Sequence, residues 1–338
     1  MKKVKVAVAM SGGVDSSVAA ALLKKQGFEV KGVFMKLFDS QAFKNSEKRA
    51  RKISKILNIP IFTLDLRKEF KKRIIGYFLN DYRRGRTPNP CVVCNKQIKF
   101  GLLLEKALSL KSDFIATGHY VRKKGNTLLR GKDKEKDQSY FLWKLNQKQV
   151  KRILFPLGDY TKKQTKDLAK KFRLPVLNIP ESQEICFIEK GINDFLKKYL
   201  KPESGEIVNE KGNMIGEHQG LCFYTIGQRK GIGLSGGPYY VIDKDLKKNV
   251  LIVSRDKKEL GKKDLMAEEI NWVSGQKPKF PLKIKVKTRS RQKAVSAAVK
   301  PFGKKIKVIF NKPQRAMTPG QSTVFYKGEE LLGGGVIC

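Results

Sequence analysis

VKVAVAMSGGVDSS, residues 4–17, decides how the rest of the chain is read. A buried-type apolar run ends in a glycine pair, and the pair opens straight into SSVAAALLKKQG, whose apolar residues fall at helical spacing. The order predicted is strand, loop, helix. Gly12 and Gly13 let the backbone pass close to an oligophosphate, and the amides of Val14, Asp15, Ser16 and Ser17 open the helix toward it. No lysine stands beside the hydroxyls as in a Walker A loop, so nothing local is built to grip a transferring γ-phosphoryl group. A bare glycine turn without a ligand has no need of Asp15 and two neighbouring hydroxyls.

The chain has 338 residues, 40% of them hydrophobic, which is enough for two or three domains with cores of their own. No stretch approaches the roughly 20 apolar residues of a membrane span, and MKKVKVAVAM has no signal-type apolar core with a small-residue cleavage site. A soluble, cytoplasmic protein is the expectation. Five cysteines, an odd number at low density, suit a reducing compartment where thiols react or bind metal. The 72 Lys and Arg against 31 Asp and Glu leave a net charge of +41, which points to a polyanionic partner, nucleic acid first, bound in a salt-sensitive way. Lysine drift over all surfaces is the plainer reading of the same charge.

Residues 1–200 alternate short apolar strands (VKVAVAM, EVKGVFM, IPIFTLDL, DFIATGHY) with basic amphipathic helices near 45–57, 66–80 and 98–109, and Thr161 caps a later helix before the proline-flanked segment 174–188. This predicts an α/β domain with a doubly wound parallel sheet. Ser11, Met35 and Gly118 lie at the carboxyl ends of its strands, where such sheets bind ligands. From residue 201 the texture is all-β. Residues 201–264 read as a small central β-rich domain with a hairpin at YYVIDKDLKKNVLIVS, and residues 265–338 as an antiparallel β-barrel.

Cys91 and Cys94 fall in RGRTPNPCVVCNKQIKFG, where two prolines predict an ordered loop ahead of a basic helix from Lys96. A thiol at such a helix start, among cations, is expected to have a lowered pKa. Cys186, in ESQEICFIEKG, is a second candidate. Cys222 sits in a strand pattern, LCFYTI, and Cys338 is read as inert. One CxxC with few histidines is a poor zinc site. Two readings stay open: Cys91, Cys94 and Cys186 holding a 4Fe-4S cluster with one open iron, or thiol redox chemistry with a Cys94–Cys186 disulfide that forms and breaks in turnover.

The loop pattern SGGxDS resembles the PP-loop of ATP pyrophosphatases, which adenylate a carbonyl oxygen and release pyrophosphate. With AMSGGVDSSVAAALL, GVFMK, RTPNPCVVCNKQIKFG, ATGHY, KDQSYFL, FPLGDYTK, CFI, YTIGQRKGIG, KTRSR and PGQSTVFY in order, the chain resembles the tRNA-specific 2-thiouridylase family from end to end. The resemblance implies that the C2 oxygen of the wobble uridine, in tRNAs decoding Lys, Glu and Gln, is adenylated by ATP with Mg²⁺ and replaced by sulfur from a cysteine persulfide. It places ATP on Ala9, Met10, Ser11, Gly12, Gly13, Val14, Asp15, Ser16, Met35 and Gly118. Cys186 becomes the persulfide carrier and Cys94 its partner thiol. Asn89, Pro90 and Cys91 flank the target base, and His119, Lys136, Asp137, Gln138, Arg289, Ser290 and Gln321 touch tRNA. A sulfur-donor protein, a cysteine desulfurase or a sulfur relay protein, is the implied partner, and no membrane is.

The chain departs from that pattern at Cys91, where many members carry Asp, a group able to act as general acid or base. Ser290 stands where tyrosine is frequent, and the loop after Phe38, DSQAFKNSEK, is short. Two competing functions are a PP-loop amidotransferase or synthase, for which no ammonia source is visible, and a non-catalytic RNA-binding protein, which would not need an intact SGGVDSS.

Overall fold

In the computed structural model, which describes residues 3–179 and 185–338, the first strand sits in the middle of its sheet. Strands β1 (Lys5–Ala9), β2 (Glu29–Lys36), β3 (Ile61–Asp65), β4 (Phe114–Ala116) and β7 (Ile153–Leu154) are parallel in the order β3-β2-β1-β4-β7. Val6, Val8 and Ile115 are fully buried because helices cover both faces. The strand order reverses between β1 and β4, so the loop after β1 opens at the switch point where doubly wound sheets bind ligands.

Seven α-helices pack against this sheet and its neighbours among the described residues: α1 (Val14–Lys25), α2 (Gln41–Ile56), α3 (residues 67–83), α4 (residues 90–109), α5 (Gln147–Lys151), α6 (Lys162–Lys171) and α7 (Ile192–Lys197). Ser40 caps α2 by accepting from the Phe43 amide, and Thr161 and Gln164 close a capping box on α6. The loop expected ahead of Lys96 is instead helix. Pro90 occupies the first helical position of α4, where its missing N–H costs nothing, so Cys91 and Cys94 lie in the first turn of a long helix. That helix winds as a π-helix over Asn95–Leu102, a geometry often found at functional sites.

The central sheet joins β8 (Gly205–Val208), β9 (Met214–His218), β10 (Tyr240–Asp245) and β11 (Val250–Ser254) in the order β10-β11-β8-β9, with the expected hairpin between β10 and β11. Cys222 lies in a 3₁₀ turn, Leu221–Phe223, rather than a strand; Gly220 at φ 126 turns the chain into it.

Six strands close the barrel: β12 (Gly261–Trp272), β13 (Leu282–Lys287), β14 (Val295–Phe302), β15 (Lys305–Arg315), β16 (Ser322–Lys327) and β17 (Glu330–Ile337). Closure depends on β12, which pairs with β15 as far as Ala267 and with β17 from Ala267 onward, the β17 register shifting between Glu268 and Asn271, where Glu269 has φ 50. Residue 265 therefore falls inside a barrel strand.

A hairpin that the sequence pattern did not disclose, β5 (Val121–Lys124) and β6 (Thr127–Arg130), leaves the first domain and pairs with β17 through Leu129 and Glu330. Fully buried Trp143 packs on Gly334 of β17, where any Cβ would stand 2.9 Å from the indole. One core thus unites Trp143, Tyr140 and Leu142 with Val324, Tyr326 and Val336 of the barrel. Trp143→Ala is expected to cost about 3–5 kcal/mol, read as a lower denaturant midpoint with the slope unchanged.

Candidate active site

The loop after β1 is shaped by two close approaches. Gly12 has φ 75, and a Cβ there would stand 2.4 Å from the Ser46 carbonyl of α2. A Cβ on Gly118, beyond β4, would stand 2.7 Å from the Asp15 carbonyl carbon and 2.8 Å from the Ser16 amide. Glycine at both positions lets the loop seat between α2 and the end of β4. Gly13 is the N-cap of α1 and offers no side-chain cap, so the amides of Val14, Asp15 and Ser16 stay open to an anion. The Ser17 amide, expected to join them, instead donates to Gly13 O at 3.2 Å as the first helical bond. Ser16 Oγ accepts from the Ser11 amide at 3.2 Å, folding the loop over itself. Ala9 and Met10 are buried in the sheet beneath, with Gly32 giving room to the Met10 sulfur, and Met35 is half-buried at the end of β2.

The loop lacks a lysine in sequence, and the fold supplies one. Lys162, the first residue of α6, donates to Asp15 Oδ1 at 2.7 Å, and the Tyr120 hydroxyl donates to the same oxygen at 2.7 Å. Sequence reading missed both residues. Their signals were the Thr161 capping box, which places Lys162 at a helix start, and the position of Tyr120 just beyond β4.

The positive charge of Lys99 acts on Cys91, Cys94 and Cys186 and also on His119. All are free thiols. The lowered pKa expected at a helix start is not what this environment produces. Burial dominates and pushes the Cys94 thiol up to about 11, with Lys99 opposing it. Burial shifts Cys91 upward as well and pushes Cys186 further, to about 12. Cys94 and Cys91 also raise Cys186, so the three sulfurs lie within range of one another's charge. Among the described residues no three His, Cys, Asp or Glu side chains converge closely enough to hold a metal ion, and the trio as arranged does not fit the ligand set of an iron-sulfur cluster.

His119 is a satisfied core histidine in this arrangement. Its Nδ1 pairs with Thr117 Oγ1 at 2.7 Å, its ring packs on Phe100 and Phe155, and burial holds its pKa well below the usual value, so it is neutral at pH 7. Several other residues expected at RNA are also engaged within the protein. Asp137 Oδ1 accepts from the amides of Gly131 and Ser139, and Gln138 Oε1 accepts from the Tyr120 amide. The Lys136 amide donates to Asp133 at 3.2 Å. Arg289 Nη2 donates to the carbonyls of Ile226 and Ala316 and to Thr318 Oγ1, which fastens the central domain to the barrel, with Ser290 half-exposed beside it.

Residues 86–89, which lead into α4, are held from every side. Gln321 Nε2 donates to the Thr87 and Pro88 carbonyls at 2.9 and 3.2 Å, the Thr87 amide donates to Pro319 O at 2.8 Å, and Thr87 Oγ1 meets Thr225 Oγ1 at 3.2 Å. Arg86 pairs with Glu268 of β12. Asn89 meets Tyr77 through its backbone and Tyr140 through its side chain. The barrel thereby fixes the position at which Pro90 starts the cysteine helix.

The fold and site define a nucleotide-loop enzyme whose parallel sheet carries paired thiols and is continued by two β-domains. Comparison with known proteins agrees domain by domain: residues 4–190 match the tRNA methyl transferase HUP domain, residues 193–255 the tRNA methyl transferase PRC-barrel domain, and residues 262–337 the aminomethyltransferase beta-barrel domain. The chain is 47% identical over 355 residues to tRNA-specific 2-thiouridylase MnmA 2 of Thermoanaerobacter pseudethanolicus, covering 98% of this chain and 97% of that one. It is 45% identical over 360 residues to tRNA-specific 2-thiouridylase MnmA of Carboxydothermus hydrogenoformans, with the same coverage. Among solved structures, U34-tRNA thiolase NcsA from Methanococcus maripaludis with its [4Fe-4S] cluster is similar at TM-score 0.38 and 21% identity, over 54% of this chain and 60% of that one. The chain belongs to the tRNA-specific 2-thiouridylase family.

Two outcomes follow from this geometry. With its pKa near 11, Cys94 is roughly one part in ten thousand thiolate at pH 7. Its alkylation by iodoacetamide is therefore expected to rise about tenfold per pH unit from pH 7 to 10, followed by mass spectrometry of its peptide. Gln321→Ala removes both hydrogen bonds to the 86–89 segment, a loss of about 1–2 kcal/mol in its order. Steady-state thiolation is expected to show this mainly in kcat, with the KM for tRNA little changed.

Proposed function

We propose that this chain is an ATP-dependent tRNA-uridine 2-sulfurtransferase that replaces the C2 oxygen of the wobble uridine with sulfur in tRNAs decoding Lys, Glu and Gln, in the cytoplasm. The observation that carries the reading is the glycine loop seated against Gly118, with Asp15 held by Lys162 and Tyr120, in a chain whose helix α4 carries Cys91 and Cys94 in its first turn. The methyl transfer named in two of the domain descriptions is not the reading taken, because a phosphate loop beside paired thiols suits an adenylated carbonyl attacked by sulfur.

The uridine O2 attacks the α-phosphorus of ATP, and pyrophosphate leaves against the open amides of Val14, Asp15 and Ser16. Asp15 is the carboxylate the loop would offer to Mg²⁺, which would supply positive charge against the phosphates. Lys162 and Tyr120 hold that carboxylate in place. The terminal sulfur of a Cys186 persulfide adds to C2, and AMP departs with the old oxygen. The Cys94 thiolate then attacks Cys186 Sγ. A Cys94–Cys186 disulfide forms, the S–S bond to the nucleoside breaks with its electron pair going to the transferred sulfur, and 2-thiouridine is released. An external thiol reductant reopens the disulfide, and a sulfur-donor protein, a desulfurase or a relay protein, reloads Cys186.

A flipped base flanked by Asn89, Pro90 and Cys91 is consistent with the fixed start of α4, and the loops carrying Lys136, Ser290 and Gln321 form the RNA-facing wall. The +41 charge supplies the salt-dependent affinity. Pyrophosphate release and 2-thiouridine formation, measured on one tRNA with ATP and a persulfide source, separate the steps. Asp15→Ala is expected to abolish both, whereas Cys186→Ser keeps tRNA-dependent pyrophosphate release and forms no thiouridine. Thiolation retained in Cys186→Ser would overturn the carrier assignment.

A further inference from the structure

We infer that Arg49, carried by α2, is a phosphate-binding residue of the nucleotide loop and grips the pyrophosphate end of ATP. The inference rests on the reading of that loop as an ATP site. Helix α2 touches the loop at its glycine: a Cβ on Gly12 would lie 2.4 Å from Ser46 O, 3.1 Å from Arg49 Cβ and 3.2 Å from the Ala50 amide. Helical side chains lean toward the N-terminus of their helix. Arg49 follows that rule, since its Nη2 donates to Ser46 Oγ at 2.8 Å, one turn back. The N-terminal end of α2 lies at the carboxyl edge of the sheet, just past β2, and the glycine loop lies on the same edge.

The guanidinium is incompletely satisfied there. Arg49 Nε is buried with no hydrogen-bond partner, and among the described residues no carboxylate pairs with Arg49. The two acids nearest in sequence and in the loop are committed: Glu47 to Arg51 and Thr63, Asp15 to Lys162 and Tyr120. Asp15 pairs with Lys162, so that cation is already compensated within the loop. A guanidinium held partly out of water beside amides that await an anion is completed by phosphate oxygens, which match its planar fork. Arg49 would serve the role that the local sequence denies by placing no lysine in the loop.

Calorimetric titration of the full chain with Mg·ATP, with inorganic pyrophosphate and with adenosine tests this, on the parent protein, Arg49→Met and Arg49→Lys. Arg49→Met is expected to weaken ATP and pyrophosphate by about 10- to 100-fold, leaving adenosine and tRNA binding unchanged, and Arg49→Lys to recover part of the loss. Parent-like pyrophosphate affinity in a cooperatively folded Arg49→Met overturns the role of Arg49 alone. If the parent binds neither ATP nor pyrophosphate, the ATP reading falls and Arg49 with it. Should Arg49→Met unfold, Ser46→Ala, which only releases the guanidinium, is expected to weaken pyrophosphate several-fold, and unchanged affinity there overturns the proposal.

Discussion

Asp15 Oδ1 receives two hydrogen bonds, one from Lys162 and one from Tyr120, and three parts of the first domain meet at that oxygen. The glycine loop, the segment beyond β4 and the start of α6 come from residues far apart in sequence, and each would otherwise be a surface turn. A carboxylate held by a cation and a phenol is a poor wanderer: the ion pair alone is modest when partly exposed, but two donors to one oxygen fix its direction. Around that fixed point Gly12 and Gly118 allow α2 and the end of β4 to close in. The loop is therefore held by its neighbours as well as by its own hydrogen bonds.

Much of this was legible in the residues. The strand-loop-helix unit, the parallel sheet and the switch to β-structure near residue 200 follow from periodicity, because parallel strands buried on both faces read as continuous apolar runs. The start of α4 was misread because proline was taken as a helix breaker, when at the first helical position it is favoured. The hairpin at 121–130 escapes the pattern because four of its ten residues are basic and its partner strand is β17, far away in the chain.

The site divided along the same line. The motif residues lie on the glycine loop after β1 and in the first turn of α4. Lys162, Tyr120 and Lys99 were invisible because their roles arise only when separate elements meet. The thiols show why local context misleads: a helix start surrounded by lysines suggests an acidic thiol, yet packing around Cys94 removes the water that would stabilise a thiolate. Arg289 and Gln321 also hold the domains together through hydrogen bonds that no local pattern discloses.

The pairing of the 121–130 hairpin with the barrel has a consequence for how the chain is made. Arg122 and its partner Glu329 are 207 positions apart, and at about 5–20 residues per second the ribosome needs roughly 10–40 s to bring the second after the first. Through that interval Trp143 lacks the glycine face it rests on, and the hairpin edge lacks β17. The first domain therefore cannot mature as an independent N-terminal unit. Long-range pairing of this kind slows folding, so a nascent chain shows chaperones an open apolar seam until the barrel closes over it.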